Sequence, residues 1–482
     1  MLRPAKAADR RVPALLVKIG QYPLHHGGVG VIRTLGRFGV PVYAITEDRL
    51  TPAAVSRYCK NPFVWPTTGR EDPRRLAEGL LAIGRRLDRR AVVVPTDEEA
   101  AVLIAEHADE LSECFLFPHV PPGLPRKLAS KQGLYELCRA HSVPAPASAF
   151  PATAGELAAF AGRATFPVVA KNREAWVRRS APVVPGTMVL HSAEELMALA
   201  GGWGEAPSVI LQDYIPEEHA EDWIVHLYSD ADANCVVTFT GLKVRSWPPR
   251  AGMTACAYVV PNPGLAETAE RFCKQIGFRG IADLDWRLDR RDGQYKLVDF
   301  NPRVGAQFRL FETAAGVDVV RALYLDLTGS PVPAGRQRDG RRMIVENIDL
   351  PARLAYRRSA YSTPARPARA TSTELAWLAL DDPLPSLAMS ARVAKPVAAH
   401  LMNLRRSRAM RRKAGRSPQR AVPARGDNPP IPPAAPARGD DPPILPASRA
   451  GPAGEPSAQD RERGTRKATQ QTRNAQLKDG AQ

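Results

Sequence analysis

Two aspartates, an asparagine and an arginine recur at alternate positions near residue 300, a pattern suited to holding a hard cation against a phosphoryl group. The sequence runs Gly280-Ile-Ala-Asp-Leu-Asp285-Trp286, then a polar turn from Asp289 to Gly293, then Tyr295-Lys-Leu-Val-Asp299-Phe300-Asn301-Pro302-Arg303. Two strands joined by so short a turn form a hairpin, in which directly opposed residues on one face lie about 5 Å apart. Asp285 and Asp299 could then share one Mg2+, with Asn301 adding a neutral oxygen, because magnesium takes a few carboxylates together with phosphate oxygens and water. Arg303, two residues on and facing the same way, would meet charge developing on a transferred phosphoryl group. The competing reading is a solvated hairpin whose acids pair with that arginine. The apolar neighbours Leu284, Trp286, Leu297 and Phe300 favour the site over it.

Other cations could join. Lys243 and Arg245 lie two apart in Thr240-Gly-Leu-Lys-Val-Arg-Ser, so on a strand they share a side. Either they receive a phosphate or they form a solvated strand face. Lys171 ends the apolar run Pro167-Val-Val-Ala-Lys, where an unpaired ammonium would be costly to bury. Arg309, just past Gln307-Phe308, is a candidate for holding a substrate carboxylate.

These residues need sheets to carry them, and the chain reads as alternating strands and helices. Strands are expected at Pro13–Val17, Val40–Ile45 and Ala91–Val94, and helices at Val31–Phe38, Glu98–Leu111 and Ser130–Ala140. That alternation implies a parallel sheet covered on both faces. Gly27-Gly28-Val29-Gly30 reads as a glycine turn between strand and helix, with His25 and His26 expected to be exposed in it, substrate contact being the alternative. The same turn admits a dinucleotide site, hence a redox enzyme, although the spacing falls short of Gly-x-Gly-x-x-Gly. Prolines between Phe117 and Pro125 mark a boundary, and after Gly329 the pattern weakens.

At the hairpin the chain resembles the ATP-grasp superfamily, whose C-terminal lobe ends in an acid-x-Asn-x-Arg strand preceded by a second acidic strand. The nearest likeness is to a group of predicted ATP-dependent carboxylate-amine ligases (carboligases), carried by Val298-Asp-Phe-Asn-Pro-Arg-Val-Gly-Ala-Gln-Phe308 and extending over residues 12–330. The resemblance implies an α/β fold: a Rossmann-like pre-ATP-grasp domain at 12–118, a small ATP-grasp lobe at 119–205 and a C-terminal lobe at 206–330. A C-terminal extension (331–412) and a disordered Pro/Ala/Arg-rich tail (413–482) would follow.

It further implies ATP with Mg2+, Mn2+ being the alternative ion. Lys131 and Lys171 would contact phosphates, and the hinge Gln212-Asp213-Tyr214-Ile215 would carry backbone groups for the adenine edge. Asp222, or Glu218 in its place, would take the ribose hydroxyls. Asp285, Asp299 and Asn301 would hold the metal, Arg303, Lys243 and Arg245 would act on the phosphoryl group, and Arg309 would bind substrate. One departure stands out. Where the superfamily carries a glycine-rich loop over the phosphates, this chain has Asn172-Arg173-Glu-Ala-Trp-Val-Arg178-Arg179-Ser180.

The implied activity joins a small carboxylate to an amine through an acyl phosphate. The rival is a non-catalytic nucleotide-binding module tethered by its tail.

Composition is compatible with this. Of the net charge of +17, the stretch from Leu404 onward carries +10, so the remainder is only mildly basic and has no aromatic-interleaved basic stripe for nucleic acid. No apolar run approaches the roughly 20 residues of a membrane span. The run Ala14–Ile19 is too short for a signal-peptide core. Six scattered cysteines read as reduced thiols of a cytoplasmic protein. The basic run Ala399–Arg412 could touch an acidic membrane surface or lie solvated. The sequence leaves the oligomeric state open.

Overall fold

The computed structural model describes residues 10–173, 184, 186–204, 208–249, 252–358 and 370–394. The arginine-bearing loop around Arg178 and Arg179, the run Ala399–Arg412 and the tail 413–482 lie outside the described residues.

Five strands, β1 (Ala14–Val17), β2 (Val42–Thr46), β3 (Cys59–Val64), β4 (Ala91–Pro95) and β5 (Phe115–Leu116), form an all-parallel sheet in the order β3-β2-β1-β4-β5. The central β1 and β4 are apolar throughout and almost wholly buried, as strands covered on both faces must be. Helices α1 (His26–Arg37), α2 (Pro73–Gly84), α3 (Glu98–Glu106) and the short α4 (Ala108–Leu111) belong to this sheet. The run expected as one helix over 98–111 is interrupted at His107.

The glycine segment is helical. Helix α1 begins at His26, and the His25 side chain caps it by accepting from Gly28 N at 3.0 Å. Its glycines allow close packing: a Cβ on Gly27 would lie 2.8 Å from Ala306 Cα, and one on Gly30 2.9 Å from Arg309 Cγ. His26 is correspondingly buried and His25 half-buried, contrary to the expected exposure. Burial pushes the His26 imidazole down to about 4.

Helices α5 (Leu124–Ala129) and α6 (Lys131–Ala140) lead to an antiparallel sheet of β6 (Ser148–Ala149), β7 (Val168–Asn172), β8 (Met188–Leu190) and β9 (Val209–Asp213), ordered β6-β9-β7-β8 and packed with α7 (Ala154–Ala161) and α8 (Ala193–Ala200). A seven-stranded sheet follows. It contains β10 (Ala220–Ser229), β11 (Cys235–Trp247), β12 (Met253–Val259), β13 (Gly280–Asp289), β14 (Gln294–Asn301), β15 (Arg341–Ile344) and β16 (Ser372–Leu375), in the order β14-β13-β10-β11-β12-β15-β16. Only the β15–β16 pairing is parallel.

Helices α9 (Pro263–Gln275), α10 (Val319–Leu327) and α11 (Glu346–Arg358) join this sheet, and a last helix spans 384–394. Segments past residue 329, weakly patterned in sequence, therefore extend the same sheet. They also reach back to the first helix: buried Arg33 of α1 donates to Asp382 Oδ2 at 2.9 Å and to the Trp377 carbonyl at 2.7 Å.

One face of the large sheet packs Trp223, Val225, Leu227, Leu242, Leu284, Trp286 and Phe300 with residues of α6 and α9. The opposite face is divided. At one end Tyr228, Val237, Phe239 and Ile281 join a core shared with α1 and α10. Toward the other end it turns polar. That polar half is the candidate site.

Candidate active site on the large sheet

Strand register builds the polar half row by row. Asp283 opposes both His226 and Asn301, Asp285 opposes Asp299, and Asp222 stands between Lys243 and Arg287. Because alternate residues share a face, Asp222, His226, Lys243, Asp283, Asp285, Arg287, Asp299 and Asn301 all project toward one side. Asp283 and Arg287 were not singled out from the sequence. The signal for Asp283 was present in its place two residues before Asp285.

Lys243 Nζ lies 3.1 Å from Asp285 Oδ1, and Lys131 at the start of α6 bonds Asp299. Lys131 is brought there by its backbone N–H, which donates to Arg173 O beyond β7. Burial raises the Asp285 carboxyl above its ordinary value, outweighing Lys243, with Asp283 and Asp299 adding to the rise. Asp299 goes the other way: burial opposes, but Lys131, Lys171 and Arg303 together hold it low. Asp285 and Asp299 keep side-chain exposures of 26% and 32%, so both remain open to a ligand.

Two hard, directly opposed carboxylates with a neighbouring amide oxygen suit Mg2+. A cation there would also relieve the like-charge crowding on Asp285. Among the described residues no three acid, His or Cys side chains converge on one point, so the ion would draw its other ligands from phosphate and water. Asn301 is fixed by donating to the Asp283 carbonyl oxygen at 3.2 Å.

Lys171, on β7, donates to Gln212 Oε1 at 3.1 Å, and Gln212 donates to Ser148 Oγ at 3.0 Å. Gln212 is thus held by its side chain at the end of β9, with Asp213 exposed, Tyr214 half-buried and Ile215 buried. Arg287 ties this hinge to the large sheet, donating to Ile215 O at 3.0 Å and to Asp222 Oδ1 at 2.8 Å. Of the two ribose candidates, Asp222 lies on the polar face, while Glu218 is exposed in a 3-10 turn (Glu217–His219).

Burial, then Lys131, lowers the Lys171 ammonium to about 8. If its charged form binds phosphate, kcat/KM for ATP should fall about tenfold from pH 7 to pH 9 through this group, and Lys171→Met should abolish that limb. A pH-rate profile of both forms tests this.

Two expected roles need correction. Lys243 and Arg245 do not act together: Lys243 meets Asp285, whereas Arg245 follows an irregularity in the β11–β12 pairing, a feature that re-aims side chains. Arg245 is buried against α11, its Nε donating to Asp349 Oδ1 at 2.8 Å. Arg309 is likewise engaged within the fold. Its Nη1 lies 2.7 Å from buried Asp318, and its Nε lies 3.6 Å from Glu374.

Arg303 sits at the edge of the polar face, bonded to Asp283 and to Glu98 of α3, each at 2.9 Å. These acids outweigh burial and keep it firmly charged. Asp283, in spite of burial, is held well below the usual carboxylate range by His226 and Arg303. His226 Nε2 approaches Asp283 Oδ1 to 3.0 Å, close enough for an ion pair but without hydrogen-bond alignment.

Gly305 closes over this cluster, since a Cβ there would stand 2.3 Å from His226 Cε1 and 2.6 Å from Asp283 Oδ2. Both neighbours are buried and cannot yield easily. Gly305→Ala should destabilise by about 1–3 kcal/mol, read as a lower thermal midpoint, and should impair turnover through Arg303.

The ATP-binding domain of the carbamoyl-phosphate synthase L chain family matches residues 258–325, a span containing β13, β14 and Arg303. A D-aspartate ligase of Enterococcus faecium (strain Aus0004) is 25% identical over 301 residues, covering 59% of this chain and 70% of the relative. The likeness to the ATP-grasp superfamily thus rests on an ATP-binding domain match over residues 258–325 and on a ligase relative of 25% identity.

Two solved structures share its fold. N5-carboxyaminoimidazole synthetase from Staphylococcus aureus aligns with a TM-score of 0.52 at 12% identity, covering 74% of this chain and 91% of the other. The biotin carboxylase domain of Hydrogenobacter thermophilus 2-oxoglutarate carboxylase, solved with MgADP, ADP and bicarbonate, aligns at 0.50 and 16% identity, covering 68% and 73%. ATP-dependent, C–N bond-forming ligation is the activity these relationships support. No helix among the described residues is long and apolar enough to cross a membrane.

Proposed function

We propose that the protein activates a small carboxylic acid as an acyl phosphate and couples it to an amine, with residues 12–118 helping to bind substrate and the lobes 119–205 and 206–330 enclosing ATP. The observation that carries this reading is the row of opposed Asp285 and Asp299, set between Lys131 and Lys243 on one sheet face. Lys131 and Lys171 bind phosphates, the backbone of Gln212–Ile215 meets the adenine, and Asp222 meets the ribose. Asp285, Asp299 and Asn301 hold Mg2+, or Mn2+ in its place. When bound, the ion neutralises phosphate charge.

A carboxylate oxygen of the acid attacks the γ-phosphorus, the bridging bond to the β-phosphate breaks and ADP leaves. The amine then attacks the acyl carbon, phosphate departs, and the extra proton passes to solvent. Arg303 and Lys243 face the charge that spreads over the transferred oxygens. Arg245 and Arg309 support the fold from behind. Dependence on ATP and the free cysteines suit a cytoplasmic location.

The relative named for D-aspartate ligation makes an amino dicarboxylic acid the first acid to try. Incubation with MgATP, a panel of amino acids headed by D-aspartate, and hydroxylamine should yield ADP and an acid-dependent hydroxamate, the trapped form of an acyl phosphate. Nucleotide binding without ADP or hydroxamate across the panel and with bicarbonate would instead favour the non-catalytic module.

A further inference from the structure

The guanidinium of Arg303 is gripped from two separate parts of the fold. From β13, Asp283 Oδ2 accepts from Nη1 at 2.9 Å, and the Val304 carbonyl, just past β14, accepts from the same nitrogen at 3.2 Å. From helix α3 of the N-terminal sheet, Glu98 Oε1 accepts from both Nε and Nη2, at 3.2 and 2.9 Å. Glu98 is the first residue of α3, which Asp97 caps through Ala100 N at 2.9 Å. Asp97 also accepts from Ile19 N and Gly20 N with its other oxygen, at 2.9 and 2.7 Å, so the start of α3 is itself pinned to the loop after β1. Nearby, Val304 N donates to the Pro95 carbonyl at the end of β4 at 3.2 Å.

An arginine side chain has five N–H donors in one plane. These contacts engage four and leave one N–H of Nη2, whose direction is set once both carboxylates are in place. Asp283 alone would fix one end of the fork and let the plane swing. Neutralising the arginine needs one carboxylate, so the second, contributed from 205 residues away, chiefly fixes its orientation.

We propose that Glu98 is a positioning residue for the ligase reaction: it aims Arg303 at the transferring phosphoryl group, making the N-terminal sheet part of the catalytic geometry. This rests on the role given to Arg303 above. Misplacement of a reacting contact by about 1 Å can cost on the order of a hundredfold in rate.

The test compares wild type with Glu98→Ala, Glu98→Asp, Arg303→Lys, Arg303→Ala and the Glu98→Ala/Arg303→Lys double variant. All are assayed with MgATP, D-aspartate and hydroxylamine, or with bicarbonate where that is the acid supporting turnover, alongside thermal melts. Glu98→Ala, which removes the acceptor, should lose about 10- to 100-fold in kcat, with KM for ATP within about twofold of wild type and a modest change in thermal midpoint. Glu98→Asp should recover part of the loss, and the double variant should be no slower than Arg303→Lys.

Wild-type kcat in Glu98→Ala, or fully additive losses in the double variant, overturns the proposal. If Glu98→Ala does not fold, Glu98→Asp decides: unchanged kcat at wild-type stability overturns it, and a kcat-selective loss supports it. Wild-type kcat in Arg303→Ala instead removes the role of Arg303 itself, a separate outcome.

Discussion

Asparagine in place of Asp299 is expected to cut acid-dependent ADP release by about a hundred- to a thousandfold while barely moving the thermal midpoint. Asp299 has two partners, the opposed Asp285 across the hairpin and the Lys131 ammonium. The substitution keeps shape and removes charge. Asp285 is then left as the single carboxylate beside the amide of Asn301, and a divalent ion loses one of its two anionic ligands. Lys131 is released from its ion pair at the same time, so nucleotide affinity need not fall in step with turnover. Partly exposed pairs of this kind contribute only about 0–1 kcal/mol to stability, which is why the fold should persist. A Mg2+ titration of ADP release at saturating ATP checks the assignment: the residual activity should require more Mg2+. Wild-type turnover in this variant would remove the metal role of Asp299.

Asp318→Ala is expected to have the largest effect on stability. The carboxylate is fully buried, caps α10 by accepting from Val320 N and Arg321 N at 2.9 Å each, and accepts from Thr34 Oγ1 and Arg309 Nη1 at 2.6 and 2.7 Å. Alanine would remove the cap and leave the buried Arg309 guanidinium with the Thr34 hydroxyl at 3.3 Å from Nη1 and the more distant Glu374 at 3.6 Å from Nε. Breaking a buried pair from one side costs about 3–5 kcal/mol, and a lost cap adds about 1 kcal/mol. A melting curve should show a fall of many degrees or a chain that does not accumulate in soluble form. The exposed pair Arg85–Glu113 provides the contrast, because Glu113→Ala should shift stability by less than about 1 kcal/mol.

Much of the site could be read from residue types because its parts are local. The period of two puts Asp299 and Asn301 on one side of β14, and the observed register, irregular just past Asp285, places Asp285 opposite Asp299. Strands β1 and β4 were equally legible, since runs such as Ala-Val-Val-Val have no polar face to show water. What escaped depends on distant partners. The glycines of α1 look like a turn until Ala306 and Arg309 are seen against them. Arg245 is parted from Lys243 by an irregularity in the β11–β12 pairing that no two-residue spacing announces. The environment of Arg303 is set by Glu98, and β15 and β16 are too short to show periodicity of their own.

The bond between Arg33 and Asp382 ties the order of synthesis to the order of folding. Arg33 is synthesised 349 residues ahead of its carboxylate partner, roughly 20 to 70 s at ordinary elongation rates of about 5–20 residues per second. During that interval α1 carries a guanidinium at a position that ends up buried, with no mate yet made. The contacts that fix the Arg33 face of α1 can therefore close only after the segment containing Trp377 and Asp382 has been made.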